Sequence, residues 1–120
     1  MTVLVLQFGY LVLAVGYNLV SLSLKRRGGR PLAPTDIRAA LIVFGVYALM
    51  LAAGFLGHDL LYRVVAAAFA VFLGLTGVVP HVVRGPGEQY RSRAAWLTAI
   101  LVNIVGVGVT LAGVVFGPGG

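Results

Sequence analysis

The chain contains 120 residues, of which 60% are hydrophobic and 10% are charged, with a formal net charge of +6 and no cysteine. Soluble globular domains carry about 25% charged residues, so this composition predicts an integral membrane protein. The positive charge therefore does not indicate a nucleic-acid partner. The absence of cysteine excludes disulfides, thiolate metal sites and cysteine nucleophiles.

Four runs of predominantly apolar residues each reach the length of about 20 residues that a membrane-spanning helix requires. They cover residues 2–24, 37–56, 60–83 and 94–116, and we expect one membrane domain with these spans. The first run has no basic leader and no small-residue cleavage site, so we expect it to be retained rather than removed as a signal peptide.

Basic residues are concentrated in and beside the first and third connections between these runs. They are Lys25, Arg26, Arg27, Arg30, Arg38, Arg84, Arg91 and Arg93. Because such residues stay in the cytoplasm, we expect an all-α, antiparallel up-down-up-down four-helix bundle in a bacterial inner membrane, with both termini on the outer side. The cluster formed by Lys25, Arg26, Arg27 and Arg30 either contacts anionic lipid headgroups, at about 1 kcal/mol per charge, or only sets the topology.

Small and polar residues recur every three or four positions in the spans, which places them on one face of each helix. In the first span they are Gln7, Tyr10, Ala14, Tyr17 and Ser21, with Asn18 adjoining. In the second they are Gly45, Ala48, Ala52 and Phe55, facing away from Val43, Tyr47 and Met50, and in the fourth they are Ala99, Asn103, Gly106, Thr110 and Gly113. We expect these faces to pack inside the bundle, because small residues let backbones approach closely in lipid.

The third span carries a similar row of small residues with an ionisable residue at each end, here called the lane. Its members are Arg63, Ala67, Ala70, Gly74, Gly77 and His81. Pro80 removes the backbone hydrogen bond to Thr76 and crowds that turn, so we expect the helix to kink or end near it.

The short turn between the second and third spans contains His58 and Asp59, with Arg63 one helical turn beyond. Asp59 and Arg63 are expected to form an ion pair at the outer boundary, with Asp59 also the N-cap of the third helix. Alternatively, His58, Asp59 and Arg63 line an outer vestibule that binds a proton, an anion or a ligand. Thr35 or Asp36 is expected to cap the second helix.

Among the remaining polar residues, His81 is the candidate for binding a cofactor, because an imidazole at the cytoplasmic boundary can ligate haem. No second histidine lies at that depth, so a histidine without a ligand is preferred over haem or quinone binding. Asn18, Asn103 and Thr110 are the other deep polar groups of interest. We expect them to form interhelical hydrogen bonds, with contacts to a pigment, a quinone or a second subunit as alternatives.

The acidic residues Asp36, Asp59 and Glu88 all lie at connections, which disfavours ion-coupled transport. The sequence has no HExxH, Walker A or GxSxG motif, so no enzyme activity is expected. The leading hypothesis is a small non-catalytic subunit, or an assembly or stabilising factor, that packs against a larger membrane complex. The alternatives are a small homo-oligomeric channel or transporter and, third, a haem- or quinone-binding membrane anchor. Expected partners are membrane lipids and other membrane subunits or further copies of the chain.

Overall fold

The computed structural model describes residues 1–34 and 36–120. Its elements are α1 (Thr2–Arg26), α2 (Ile37–Phe55), α3 (Asp59–Arg84) and α4 (Arg93–Phe116), and the described residues contain no strand. All four helices are long and apolar enough to cross a membrane. This confirms the predicted all-helical class with four helices that could span a membrane, and each helix boundary lies within two residues of the predicted span.

Side-chain caps start two of the helices. The Asp36 carboxylate accepts hydrogen bonds from the backbone N–H groups of Arg38 (3.1 Å) and Ala39 (3.3 Å), and the Ser92 hydroxyl accepts one from Ala95 (3.0 Å). These contacts satisfy N–H groups that have no partner inside the helix. The predicted role of Asp36 is confirmed, whereas Thr35 lies outside the described residues.

The connection between α2 and α3 is a tight turn built on Gly57. The N–H groups of Gly57 and His58 donate to the carbonyl oxygens of Gly54 (3.2 Å) and Ala53 (2.9 Å), and Gly57 has a positive φ of +85°. This Schellman arrangement favours glycine at the left-handed position. The helix α3 already begins at Asp59, so its N-cap position is His58, whose side chain makes no capping hydrogen bond. The prediction that Asp59 is the N-cap is therefore wrong.

The helices form a ring in which α1 and α3 each contact both α2 and α4. The diagonal pairs are further apart, and large side chains fill the space between them. The rings of Tyr10 and Tyr47 meet edge to face at 5.5 Å, as do those of Tyr47 and Phe69 at 5.1 Å. Such pairs contribute about 0.5–1.5 kcal/mol beyond the burial of their area.

The faces that pack inward agree with the prediction for α1 and α4 but not for α2. Gln7, Tyr10, Ala14, Asn18 and Ser21 are buried on α1, and Ala99, Gly106, Thr110 and Gly113 are buried on α4. On α2 the buried residues are Ile37, Tyr47, Met50 and Gly54, whereas Gly45, Ala48, Ala52 and Phe55 are exposed. The prediction for α2 is wrong because the wide centre of a four-helix ring is filled by large side chains, which turns the small-residue face outward.

A π-helical turn interrupts α3 at Gly74–Val78, where the N–H of Val79 donates to the carbonyl oxygen of Gly74. The helix continues through Pro80 to Arg84, so it does not end at the proline. A wider turn of this kind accommodates one extra residue. The space it opens suits Pro80, whose ring would crowd the carbonyl oxygen of the preceding turn in a regular α-helix.

The π-turn changes which residues of α3 face the core. The buried positions are Tyr62, Ala66, Phe69, Ala70 and Leu73 before it, then Gly77 within it and His81 beyond it. The predicted lane is buried at Ala70, Gly77 and His81, whereas Ala67 is exposed and Arg63 and Gly74 are half-buried. The lane therefore belongs to the interior only in part.

The first and third connections lie together at one end of the bundle, here called the basic end. The guanidinium of Arg30 donates to the carbonyl oxygen of Glu88 (3.1 Å), and that of Arg91 donates to the carbonyl oxygen of Arg30 (3.2 Å). Of the nine lysine and arginine residues, all except Arg63 lie in or beside these connections. The opposite end contains the Gly57 turn and both ends of the chain, where the Met1 ammonium donates to the carbonyl oxygen of Gly120 (2.9 Å).

Candidate functional site

A buried amide joins three helices in the half of the bundle nearer the opposite end. The Tyr62 hydroxyl donates to Oε1 of Gln7 (2.6 Å), and Nε2 of Gln7 donates to the carbonyl oxygen of Val109 (2.9 Å). Gly113 lies against this pair, since a Cβ there would overlap Nε2 of Gln7 and the Tyr62 hydroxyl. A polar group in hydrocarbon needs such partners.

Other polar side chains complete the same interior. The hydroxyls of Tyr47 and Thr110 are 2.9 Å apart, whereas the buried Tyr10 hydroxyl has no hydrogen-bond partner in the described part of the chain. Gln7, Tyr10, Tyr47 and Thr110 are at most 2% exposed. These side chains fill the centre of the ring at this level.

At the opposite end, Arg63 joins α3 to the end of α4. Its Nε lies 3.0 Å from a carboxylate oxygen of Asp59, and its Nη1 donates to the carbonyl oxygen of Val114 (3.0 Å). The last carbonyl oxygens of a helix lack partners and carry partial negative charge, so Arg63 acts as a side-chain cap for α4. The structure thus places Asp59 and Arg63 in contact, and His58 is exposed beside them.

Near the basic end, His81 is held by residues of the third connection and α4. Its Nδ1 lies 2.6 Å from the Tyr90 hydroxyl, and its carbonyl oxygen accepts a hydrogen bond from Nε1 of Trp96 (2.8 Å). The Arg84 guanidinium also donates to the Tyr90 hydroxyl (3.4 Å). His81 is 7% exposed and Tyr90 is 1% exposed. Sequence reasoning missed Tyr90 as the partner of His81, because a tyrosine in a glycine- and proline-containing loop has no periodic signal.

A cavity of about 440 Å³ lies next to His81, between the helices at the basic end. It forms because α2 contacts α3 along Asp59–Leu73, while no contact joins α2 to residues 74–84 among the described residues. Its polar lining residues are Tyr17, Asn18, Asp36, Thr76, His81, Arg84 and Asn103. Its apolar lining residues include Ala40, Val43, Phe44, Phe72, Leu73 and Val102.

Asn18 and Asn103 both line this cavity, and each donates to the carbonyl oxygen one turn earlier on its own helix. Nδ2 of Asn18 bonds to Ala14 (2.8 Å), and Nδ2 of Asn103 bonds to Ala99 (2.8 Å). The predicted interhelical bonds are made by Thr110 and by Gln7, Tyr47 and Tyr62 instead. Sequence reasoning missed both hydrogen-bonding tyrosines, because it placed Tyr47 on the face turned away from the core and assigned Tyr62 no role.

The basic cluster lies at the end of α1, where Lys25, Arg26, Arg27 and Arg30 are all exposed. Among the described residues, Arg30 is the member of this cluster whose side chain makes a hydrogen bond, to the carbonyl oxygen of Glu88. The described residues contain no group of three or more histidine, cysteine, aspartate or glutamate side chains that could hold a metal ion.

No family model, curated protein or solved structure matches this chain.

Proposed function

We propose that the protein is a small non-catalytic membrane subunit, or an assembly or stabilising factor, that packs against a larger membrane complex. The observation that carries this proposal is the outward face of α2, where Gly45, Ala48 and Ala52 are exposed. No neighbouring atom lies within 4 Å of a Cβ built on Gly45. Small residues allow close backbone approach, and helix association in lipid depends on such packing because the hydrophobic effect does not drive it.

The interior gives less support to the alternative of a channel. A pathway along the ring axis would have to pass Gln7, Tyr10, Tyr47 and Thr110, which fill the centre and are almost fully buried. Arg63, the candidate for anion selection, is already engaged by Asp59 and by the end of α4. The channel alternative therefore requires a pathway formed between copies of the chain.

We further propose an antiparallel up-down-up-down arrangement in a bacterial inner membrane, with both termini on the outer side. Hydrogen bonds join Gln7 to Val109 and Tyr17 to Ala95, so residue numbers rise along α1 where they fall along α4. Eight of the nine basic residues, all but Arg63, lie at the basic end. The positive-inside rule therefore supports a cytoplasmic location for that end.

The partner proposal is tested by purifying the protein from its native membrane in a mild detergent. We expect it to migrate with other membrane proteins at a fixed ratio, and we expect Ala48→Phe to disrupt that complex by blocking close approach. Val105→Phe is the matched control, because Val105 is exposed on α4 at a similar number of residues from the basic end. It should leave the complex intact.

A homogeneous homo-oligomer that conducts ions in liposomes would contradict the proposal and support the channel. Equal disruption by Ala48→Phe and Val105→Phe would also contradict it, because the effect would then not belong to the α2 face.

A further inference from the structure

We propose that the cavity beside His81 binds a lipid-soluble ligand with a flat, neutral, carbonyl-bearing head and an apolar tail, which is the chemistry of a quinone. This inference goes beyond the proposed subunit role and does not depend on it. It rests on the shape, the lining and the charge balance of the cavity.

The cavity opens toward the lipid rather than only toward water. Because α2 and α3 separate beyond Leu73, the lining includes Leu75 and Thr76 on the outer surface of the π-turn. Leu75 is 64% exposed. A ligand dissolved in the bilayer can therefore enter between the two helices, and its tail can remain in the lipid.

The polar groups of the cavity can donate hydrogen bonds to carbonyl oxygens. A guanidinium has donors but no acceptor, so the Tyr90 hydroxyl oxygen accepts the hydrogen bond from Arg84. This favours donation of the Tyr90 proton to Nδ1 of His81. The neutral imidazole then carries its proton on Nε2, which bonds to none of the described residues. His81 is 7% exposed and lines the cavity. Its unpaired Nε2–H can therefore donate a hydrogen bond to an acceptor atom of a ligand.

Asn18 and Asn103 provide further donors deeper in the cavity. Each uses one amide N–H on its own helix, and each amide has a second N–H. His81 lies three residues from the end of α3, whereas Asn103 lies ten residues into α4. At about 1.5 Å per residue, the donors are distributed along the membrane normal, which suits a ring with carbonyl oxygens on both sides.

The charges at the mouth favour a neutral head. Arg84 and Asp36 both line the cavity, so a phosphate would meet the carboxylate and an ammonium would meet the guanidinium. The volume of about 440 Å³ lies within the roughly 300–1,000 Å³ typical of small-molecule sites. Haem with two histidine ligands is disfavoured because His81 is the single histidine in the lining.

Trp96 supplies the measurement, because it is the only tryptophan in the chain and its indole bonds to the backbone of His81. Decylubiquinone titrated into the purified protein in detergent should quench its fluorescence with a saturable component. Ala39→Phe and Ala40→Phe, which narrow the cavity from α2, and His81→Leu should each weaken the apparent affinity by about tenfold or more.

Val46→Phe is the matched control, since Val46 is exposed on the same helix outside the cavity and should leave binding unchanged. Circular dichroism melting identifies any variant that fails to fold, and the two alanine positions provide independent tests. Because this assay uses the isolated protein, its outcome is separate from that of the partner experiment. Quenching that rises linearly with quinone and is equal in all folded variants would overturn the proposal. Displacement of the quinone by short-chain phosphatidylglycerol, or a Soret band in the purified protein, would also overturn it.

Discussion

Gln7 accepts a hydrogen bond from Tyr62 and donates one to the carbonyl oxygen of Val109, so one side chain joins α1, α3 and α4. The residue that makes room for this arrangement is Gly113. A methyl group at that position would overlap both Nε2 of Gln7 and the Tyr62 hydroxyl. Gly113 is thus required for close approach, not for a special backbone conformation.

The first prediction concerns the glycines of α4. Gly113→Ala should lower the free energy of unfolding by about 1–3 kcal/mol, because the added methyl overpacks a filled interior. Gly108→Ala on the same helix should leave stability unchanged or slightly raised, because no atom lies within 4 Å of its Cβ and alanine favours the helix. Thermal unfolding in detergent, followed by circular dichroism, measures both. Equal melting temperatures for the two variants would show that Gly113 does not contact the Gln7 amide.

Single residues were predictable where local chemistry decides their role. Asp36 as a cap and the ion pair of Asp59 with Arg63 follow from sequence spacing alone. The hydrogen bonds of Tyr47 and Tyr62 do not, because each depends on a residue more than 50 positions away. Asparagine in a span suggested interhelical bonding, but a carbonyl oxygen one turn away on the same helix satisfied each amide instead.

Among the helices, α3 departs most from regular geometry, and its π-turn determines which residues reach the interior. Before the turn the buried residues follow a spacing of three and four, and Leu73, Gly77 and His81 then follow at four. A regular α-helix would advance its inner face by about 3.6 residues per turn. It would therefore bring Thr76 and Pro80 inward in place of Gly77 and His81.

The second prediction tests this account by deletion. Removing Leu75 takes out the extra residue, so the helix can become regular while Gly77 and His81 keep their orientation. The deletion alone should destabilise the protein, because the Pro80 ring would then crowd a carbonyl oxygen. Combining it with Pro80→Ala should restore the melting temperature to near its original value.

Deletion of Val64 is the control for this pair. Val64 is exposed in the regular part of α3, where losing a residue rotates Ala66, Phe69 and Leu73 by about 100° away from the core. It should destabilise the protein with or without Pro80→Ala. If removing Leu75 together with Pro80→Ala destabilises the protein as much as removing Val64, the π-turn is not an insertion.

At this scale the sequence predicts the position of helices well and their orientation less well. The inward faces of α1 and α4 were predictable because polar and small residues coincide on them. On α2 the small-residue face and the large-residue face were equally apolar, so periodicity alone could not decide between them. The π-turn could not be predicted from spacing, although Pro80 correctly indicated an irregularity near it.

The whole molecule has a marked charge asymmetry between its two ends. The basic end contains eight basic residues together with Asp36 and Glu88, whereas the opposite end contains Arg63 paired with Asp59. The side chains of Arg30 and Arg91 also link the two connections at the basic end. The proposed orientation follows from this distribution, and the absence of cysteine makes it simple to measure.

The third prediction uses single cysteines in spheroplasts treated with a membrane-impermeant maleimide. His58→Cys lies at the exposed opposite end and should be labelled in intact spheroplasts, whereas Gln89→Cys, exposed at the basic end, should be labelled only after permeabilisation. Leu101→Cys, within α4, should resist labelling in both conditions. Labelling of Gln89→Cys in intact spheroplasts would reverse the orientation.

At the largest scale, the sequence predicts the number and the limits of the helices because bilayer thickness and apolar length fix them. The cavity could not be predicted from the sequence, since it results from the separation of α2 from the last part of α3 rather than from any motif. The proposed ligand site could not be predicted for a related reason: the polar groups that line the cavity come from three helices and from Asp36, which precedes α2.

The hydrogen bonds of Gln7 also impose an order on biogenesis. Its two partners follow it by 55 and 102 positions in the chain, so the synthesis of α1 is complete before either partner is added. At about 5–20 residues per second, Val109 is synthesised roughly 5–20 s after Gln7. During that interval a bare amide in lipid is unfavourable, which favours retention of α1 beside the insertion machinery until α4 arrives. Closure of the ring then requires α4, the last of the four helices to be synthesised.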